Sequence, residues 1–161
     1  MKRPYRQVND AQMHRSTDPL VFPPHFPPTT RREKFFIGVR WLGPDLSFFK
    51  QLKQQQGERT TDQMKVWGSG KRREVAEQLA RGFKKEIRWP TAVFLPADSF
   101  EVICNGPALG MLDDLGSVAV IEQFEKSYGV RLPKTFWQGR EHATFGEIVE
   151  GLAALVASGL E

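Results

Sequence analysis

The chain has 161 residues, 40% of them hydrophobic and 26% charged, with a formal charge of +4. That length fits one domain plus an extension rather than two full domains, and the composition excludes wholesale disorder. The single cysteine, Cys104, excludes an internal disulfide and any multi-cysteine metal site.

The net charge conceals a split. Residues 1–90 carry 19 Lys and Arg against 9 Asp and Glu, while residues 91–161 carry 4 against 10. A basic front half and an acidic back half are two different electrostatic surfaces. The opening MKRPYRQVND has no apolar stretch behind its positive charges, and LAALVASGL is too short to span a bilayer. The expectation is a cytoplasmic protein with no membrane contact.

Residues 1–33 read as an irregular, extended arm. Pro4, Pro19, Pro23, Pro24, Pro27 and Pro28 fall there, and proline fixes φ and removes a backbone donor. Leu20, Val21, Phe22 and Phe26 give this arm apolar anchors, so it is expected to lie as a strap on its own domain rather than to dock in a foreign groove. Residues 34–69 are an apolar extension with a short helix through LSFFKQLKQQQ, capped by Asp45 and ended by Gly57. Residues 58–70 are polar and finish in the flexible joint Gly68-Ser69-Gly70.

From residue 70 onward the pattern is helical. Val75, Leu79, Phe83 and Ile87 recur every four residues, widened by Ala76 and Ala80, which predicts an amphipathic helix stopped at Trp89-Pro90. WPTAVFLPADSF follows as a proline-punctuated connector. DDLGSVAVIEQFEKSYGVRLP predicts a second helix, capped by Asp113 or Asp114 and closed at Gly129. Thr144, with Glu147 three residues on, forms a capping box for a third, whose apolar face is Phe145, Ile148, Val149, Leu152, Leu155 and Val156. The fold class expected is mainly α: a small helical bundle over 70–161 with a proline-rich N-terminal extension.

This back half resembles the acyl and peptidyl carrier proteins, the phosphopantetheine-binding fold. Asp113, Asp114 and Leu115 match the family's Asp-Ser-Leu helix start. Val120, Ile121, Phe124 and Tyr128 follow at its spacing, Val130-Arg131-Leu132-Pro133 matches its proline exit, and Thr144 its final helix. Ala97-Asp98-Ser99-Phe100 is similar to its loop between the first two helices. Trp89-Pro90, Phe94-Leu95-Pro96 and Asp98 are similar to a bacterial carrier-like group that implies no reaction. The resemblance implies the fold but not the activity, because the attachment serine is replaced by Asp114, whose carboxylate cannot form the phosphodiester. It also implies that the second helix is the face partners read, here through Asp113, Asp114, Glu122 and Glu125. Ser117, within the apolar arc of that helix, is expected to be buried and bonded to its own backbone.

No catalytic constellation stands out. His14, His25 and His142 share no metal-ligand spacing, Cys104 is expected to be a buried structural thiol, and no phosphate loop or nucleophile motif is present. Lys71-Arg72-Arg73 opens a helix, where the dipole disfavours cations; the favoured expectation is a solvated cluster, the alternative a partner or an intramolecular carboxylate. The reading is a non-enzymatic, cofactor-free domain that binds a protein partner, its acidic helix face meeting a basic surface of that partner or of its own N-terminal half. The alternatives are an acyl carrier modified at another serine, and a nucleic-acid binder stacking bases on Trp41, Trp67 and Trp89.

Overall fold

The computed structural model describes residues 15–22, 47–105 and 115–159. Among them the fold is mainly α-helical, with one isolated bridge between Ser99 and Thr144. Asp45, Asp113 and Asp114, the three predicted aspartate caps, lie outside the described residues.

Helix α1 spans Ser47–Gly57, and a 3-10 helix over Thr61–Trp67 follows it, burying Met64 and Trp67. Helix α2, Lys71–Ile87, buries Val75, Ala76, Leu79, Ala80, Phe83 and Ile87, the stripe its periodicity predicts. Helix α3, Phe100–Asn105, has six residues, too few for a periodic pattern to show in the sequence. Helix α4 is Leu115–Tyr128, a second 3-10 helix is Lys134–Trp137, and helix α5 is Phe145–Ser158. The remaining α-helices from α3 onward, and the first 3-10 helix, all pack on α2.

Two glycines bring α2 and α4 together. A Cβ on Gly82 would lie 2.9 Å from Val120 Cγ1, and one on Gly116 would lie 2.5 Å from Ile87 Cδ1. The capping box of α5 forms as the sequence predicts: Glu147 N donates to Thr144 Oγ1 at 3.3 Å, and Thr144 N donates to Glu147 Oε2 at 2.7 Å. The Thr144 N–H, and the Thr144 hydroxyl that donates to the same oxygen at 3.0 Å, hold the Glu147 carboxyl below the usual glutamate range. Helix α2 ends at Arg88, whose φ of 66° lies in the left-handed region usually given to glycine. The chain turns there so that Trp89 can enter the core, where its indole N–H donates to Ile103 O at 2.9 Å.

The front of the chain enters the same core. Leu20 is fully buried, Ser99 N donates to Leu20 O at 2.8 Å, and Leu20 N donates to Asp98 Oδ1 at 2.8 Å. Asp98 also forms an ion pair with Arg59, with neither side chain exposed. Arg59 Nη1 reaches Asp98 Oδ2 at 2.6 Å and Nη2 reaches Oδ1 at 2.8 Å. The other Arg59 donors go to Ser16 O, Val93 O and Asp18 O at 2.9–3.3 Å. Leu95 N supplies the last bond to Asp98 Oδ2, at 2.7 Å. All five guanidinium N–H groups and four acceptor positions on the carboxylate are therefore used. Gln56, also buried, exchanges amide bonds with Thr91: its Nε2 donates to Thr91 O at 2.8 Å, and Thr91 N donates to its Oε1 at 2.9 Å.

The cationic start of α2 is compensated within the chain. Lys71 pairs with Glu74 at 2.8 Å, Arg72 with Glu150 at 3.3 Å and Arg73 with Glu77 at 2.8 Å.

Replacing Asp98 with alanine strands a buried guanidinium. Asp98→Ala is expected to cost about 3–5 kcal/mol in urea denaturation, enough to unfold a marginal domain. Arg88→Gly relieves the left-handed backbone and is expected to raise stability by about 0.5–1 kcal/mol in the same assay.

Candidate interaction groove with an acidic rim

Helix α4 has two working faces. Taking ~100° per residue, Val120, Phe124 and Tyr128 span roughly 0–80°. Val120 and Phe124 are buried, and Val120 meets α2 at Gly82. On the same scale Ser117, Ile121, Glu125, Val118 and Glu122 span roughly 60–200°. This second face forms one wall of a groove of about 600 Å³. Phe100 and Cys104 of α3 and Trp137 of the second 3-10 helix line the remainder.

The groove is aromatic at its base and carboxylate at its edge. Phe100 and Trp137 stack with centroids 5.9 Å apart and 12° between planes. Phe100 also meets Phe83 edge to face at 5.8 Å, which anchors the groove to the core. Trp137 is held in turn by Phe136, whose ring lies under the Arg140 guanidinium at 4.4 Å while Arg140 Nη1 donates to the Phe136 carbonyl. Val118 is 47% exposed, an apolar side chain left facing solvent.

Of the four acidic residues expected to read a partner, the structure places two here. Glu122 is exposed on the rim. Glu125 is half-buried and has a second task, its Oε1 accepting from Leu132 N at 2.6 Å and so closing the turn after Gly129. Asp113 and Asp114 lie outside the described residues.

Two sequence expectations need correcting. Ser117 and Cys104 are half-buried on the groove wall rather than buried in the core. Ser117 sits at the edge between the two faces of α4, where apolar spacing alone cannot tell a core seam from a groove. Trp67 and Trp89 are 1% and 2% exposed, with indole N–H groups donating to Phe94 O and Ile103 O, each at 2.9 Å. They are core residues and offer no face to a base; Trp41 lies outside the described residues. Trp137, Phe100 and Cys104 were not foreseen as lining a site. Trp137 carried the best signal, a tryptophan just after the proline exit, in a stretch too short to reveal periodicity.

Among the described residues, no three His, Cys, Asp or Glu side chains gather as metal ligands, and no helix is long and apolar enough to cross a membrane. His142 is 3.8 Å from Glu101 at the surface. The chain matches no protein-family model, no curated protein and no solved structure. The resemblance to carrier proteins therefore rests on the residues quoted for it.

Glu125 and Glu122 should separate cleanly in a stability assay. Glu125→Ala leaves the Leu132 N–H without its acceptor and is expected to cost about 1 kcal/mol in urea denaturation. Glu122→Ala, at a solvated edge, is expected to stay within about 0.5 kcal/mol of the parent.

Proposed function

We propose that this chain is a non-enzymatic, carrier-like interaction protein whose groove along α4 receives an apolar side chain from a basic partner surface. The observation that carries this reading is the pairing of an apolar floor with a carboxylate rim. Phe100, Val118, Ile121 and Trp137 line the groove, and Glu122 and Glu125 stand beside them.

The two parts have different physical roles. Burying one leucine- or phenylalanine-sized side chain on that floor contributes about 1.5–3 kcal/mol. The carboxylates act chiefly on approach and orientation, so their contribution weakens as salt rises. Together they select a segment with an apolar anchor flanked by Lys or Arg. Residues 31–42 of this chain, RREKFFIGVRWL, have that chemistry and make a defined probe.

The test is fluorescence anisotropy with a labelled RREKFFIGVRWL peptide added to the full chain. Saturable binding that weakens with salt is expected. Glu122→Lys should lower affinity about tenfold by placing like charge at the rim. Val118→Asn should lower it by a similar factor with unchanged salt dependence, because it spoils the floor without changing the charge. Absence of saturable binding, or binding indifferent to both substitutions, overturns the reading. Glu125 is left intact because its variant would also loosen the turn at Leu132.

A further inference from the structure

Helix α2 carries a second cleft, away from the groove. It has a volume of about 400 Å³ and runs between α2 and the segment that crosses Met64, Pro90 and Val93. On the α2 side stand Arg73, Glu77, Arg81 and Lys84. At ~100° per residue these four fall within roughly 80° of one another, while Gly82, which faces α4, lies beyond them. Arg59 reaches the cleft from its buried pair.

The charges around this cleft do not cancel. Arg59 is met by Asp98 and Arg73 by Glu77. Arg81 and Lys84 are exposed and have no ion pair among the described residues. Their neighbours differ: Lys65 pairs with Asp62, Lys71 with Glu74, Arg72 with Glu150 and Lys85 with Glu86. Two cations with no ion pair among the described residues thus border a cleft whose opposite wall is mainly apolar, Met64, Pro90, Ala92 and Val93 beside Thr61 and Thr91. A low-dielectric wall strengthens the field of the charges beside it. Arginine adds a planar fork of donors that matches phosphate oxygens two at a time, and lysine adds a point charge. The volume lies within the range of small-molecule sites.

We propose that the cleft between α2 and Met64, Pro90 and Val93 binds a phosphate monoester on an apolar or aromatic body, with Arg81 and Lys84 holding the dianion. The phosphate answers the positive charges of Arg81 and Lys84, and the ring or chain covers the apolar part of the wall. The site is independent of the acidic groove, and the two can be disabled separately.

Phenyl phosphate is the probe, with inorganic phosphate and benzoate as comparisons, titrated into the isotopically labelled full chain and followed by amide chemical shifts. Saturable shifts at Thr61, Arg81 and Val93 are expected with phenyl phosphate. Inorganic phosphate, lacking the ring, and benzoate, lacking the second charge, should each bind about tenfold more weakly. The Arg81→Ala/Lys84→Ala double variant should weaken phenyl phosphate about tenfold or more while keeping the parent spectrum elsewhere, since neither side chain has an ion-pair partner among the described residues. Lys84→Gln alone should show a smaller loss. Three results would each overturn the proposal: no saturable shifts, equal binding of benzoate and phenyl phosphate, or binding that the double variant leaves unchanged.

Discussion

A buried arginine is tolerable only when every one of its donors is met, and that condition organises this protein. The Arg59 guanidinium binds the Asp98 carboxylate and three backbone carbonyls, from Ser16, Asp18 and Val93. Asp98 in turn fixes Leu20 and Leu95 through their backbone N–H groups. Three stretches that share no regular hydrogen-bonded sheet are thereby held in register: the strap at 15–20, the end of α1 and the connector before α3. The carbonyl of Asp98 also accepts from Phe145 N at 2.7 Å, which sets the start of α5. Charge pairs of this kind add little net stability compared with an apolar core of the same size, but removing one partner strands the other charge. Here the pair defines where the strap at 15–20 meets the helical part of the chain.

Helix α2 supplies the remaining geometry by having several faces in use. One meets α4 through Gly82, and its apolar stripe joins the core with Phe94 and Phe145, both within 6.4 Å of the Phe83 ring. Another carries the stripe of Arg73, Glu77, Arg81 and Lys84 along the second cleft. The acidic groove runs along another face of α4, against α3 and the second 3-10 helix. The strong charge asymmetry of the sequence therefore resolves into local surfaces. Much of the basic excess at the start of α2 is spent on intramolecular carboxylates, one of them Glu150 from the acidic half.

The long helices were legible because their apolar residues repeat at helical spacing and their ends carry recognisable signals. The α2 stripe from Val75 to Ile87 and the Thr144–Glu147 box are both of this kind. Short elements were not: Phe100–Asn105 and the two 3-10 helices make too few turns for a pattern to repeat. The ion pair was hidden for another reason. Arg59 and Asp98 are 39 positions apart, and nothing local distinguishes either from the solvated charges around it. The groove was half legible. Glu122 and Glu125 were named from the carrier resemblance, whereas its aromatic base joins Phe100 and Trp137 from separate elements. The stacking role that the nucleic-acid alternative gives Trp67 and Trp89 fails because both rings are buried, their N–H groups bonded to carbonyls of remote backbone.

The position of the ion pair along the chain also constrains how the protein can be made. During synthesis Arg59 leaves the ribosome well before Asp98, and the strap residues that accept from it leave earlier still. Until residue 98 emerges, packing α1 and the first 3-10 helix against the strap would bury the Arg59 cation without its counter-charge, which disfavours that packing. Phe145, which donates to the Asp98 carbonyl, arrives later again. The contacts that fix the strap and the start of α5 therefore become possible only after most of the chain has been made.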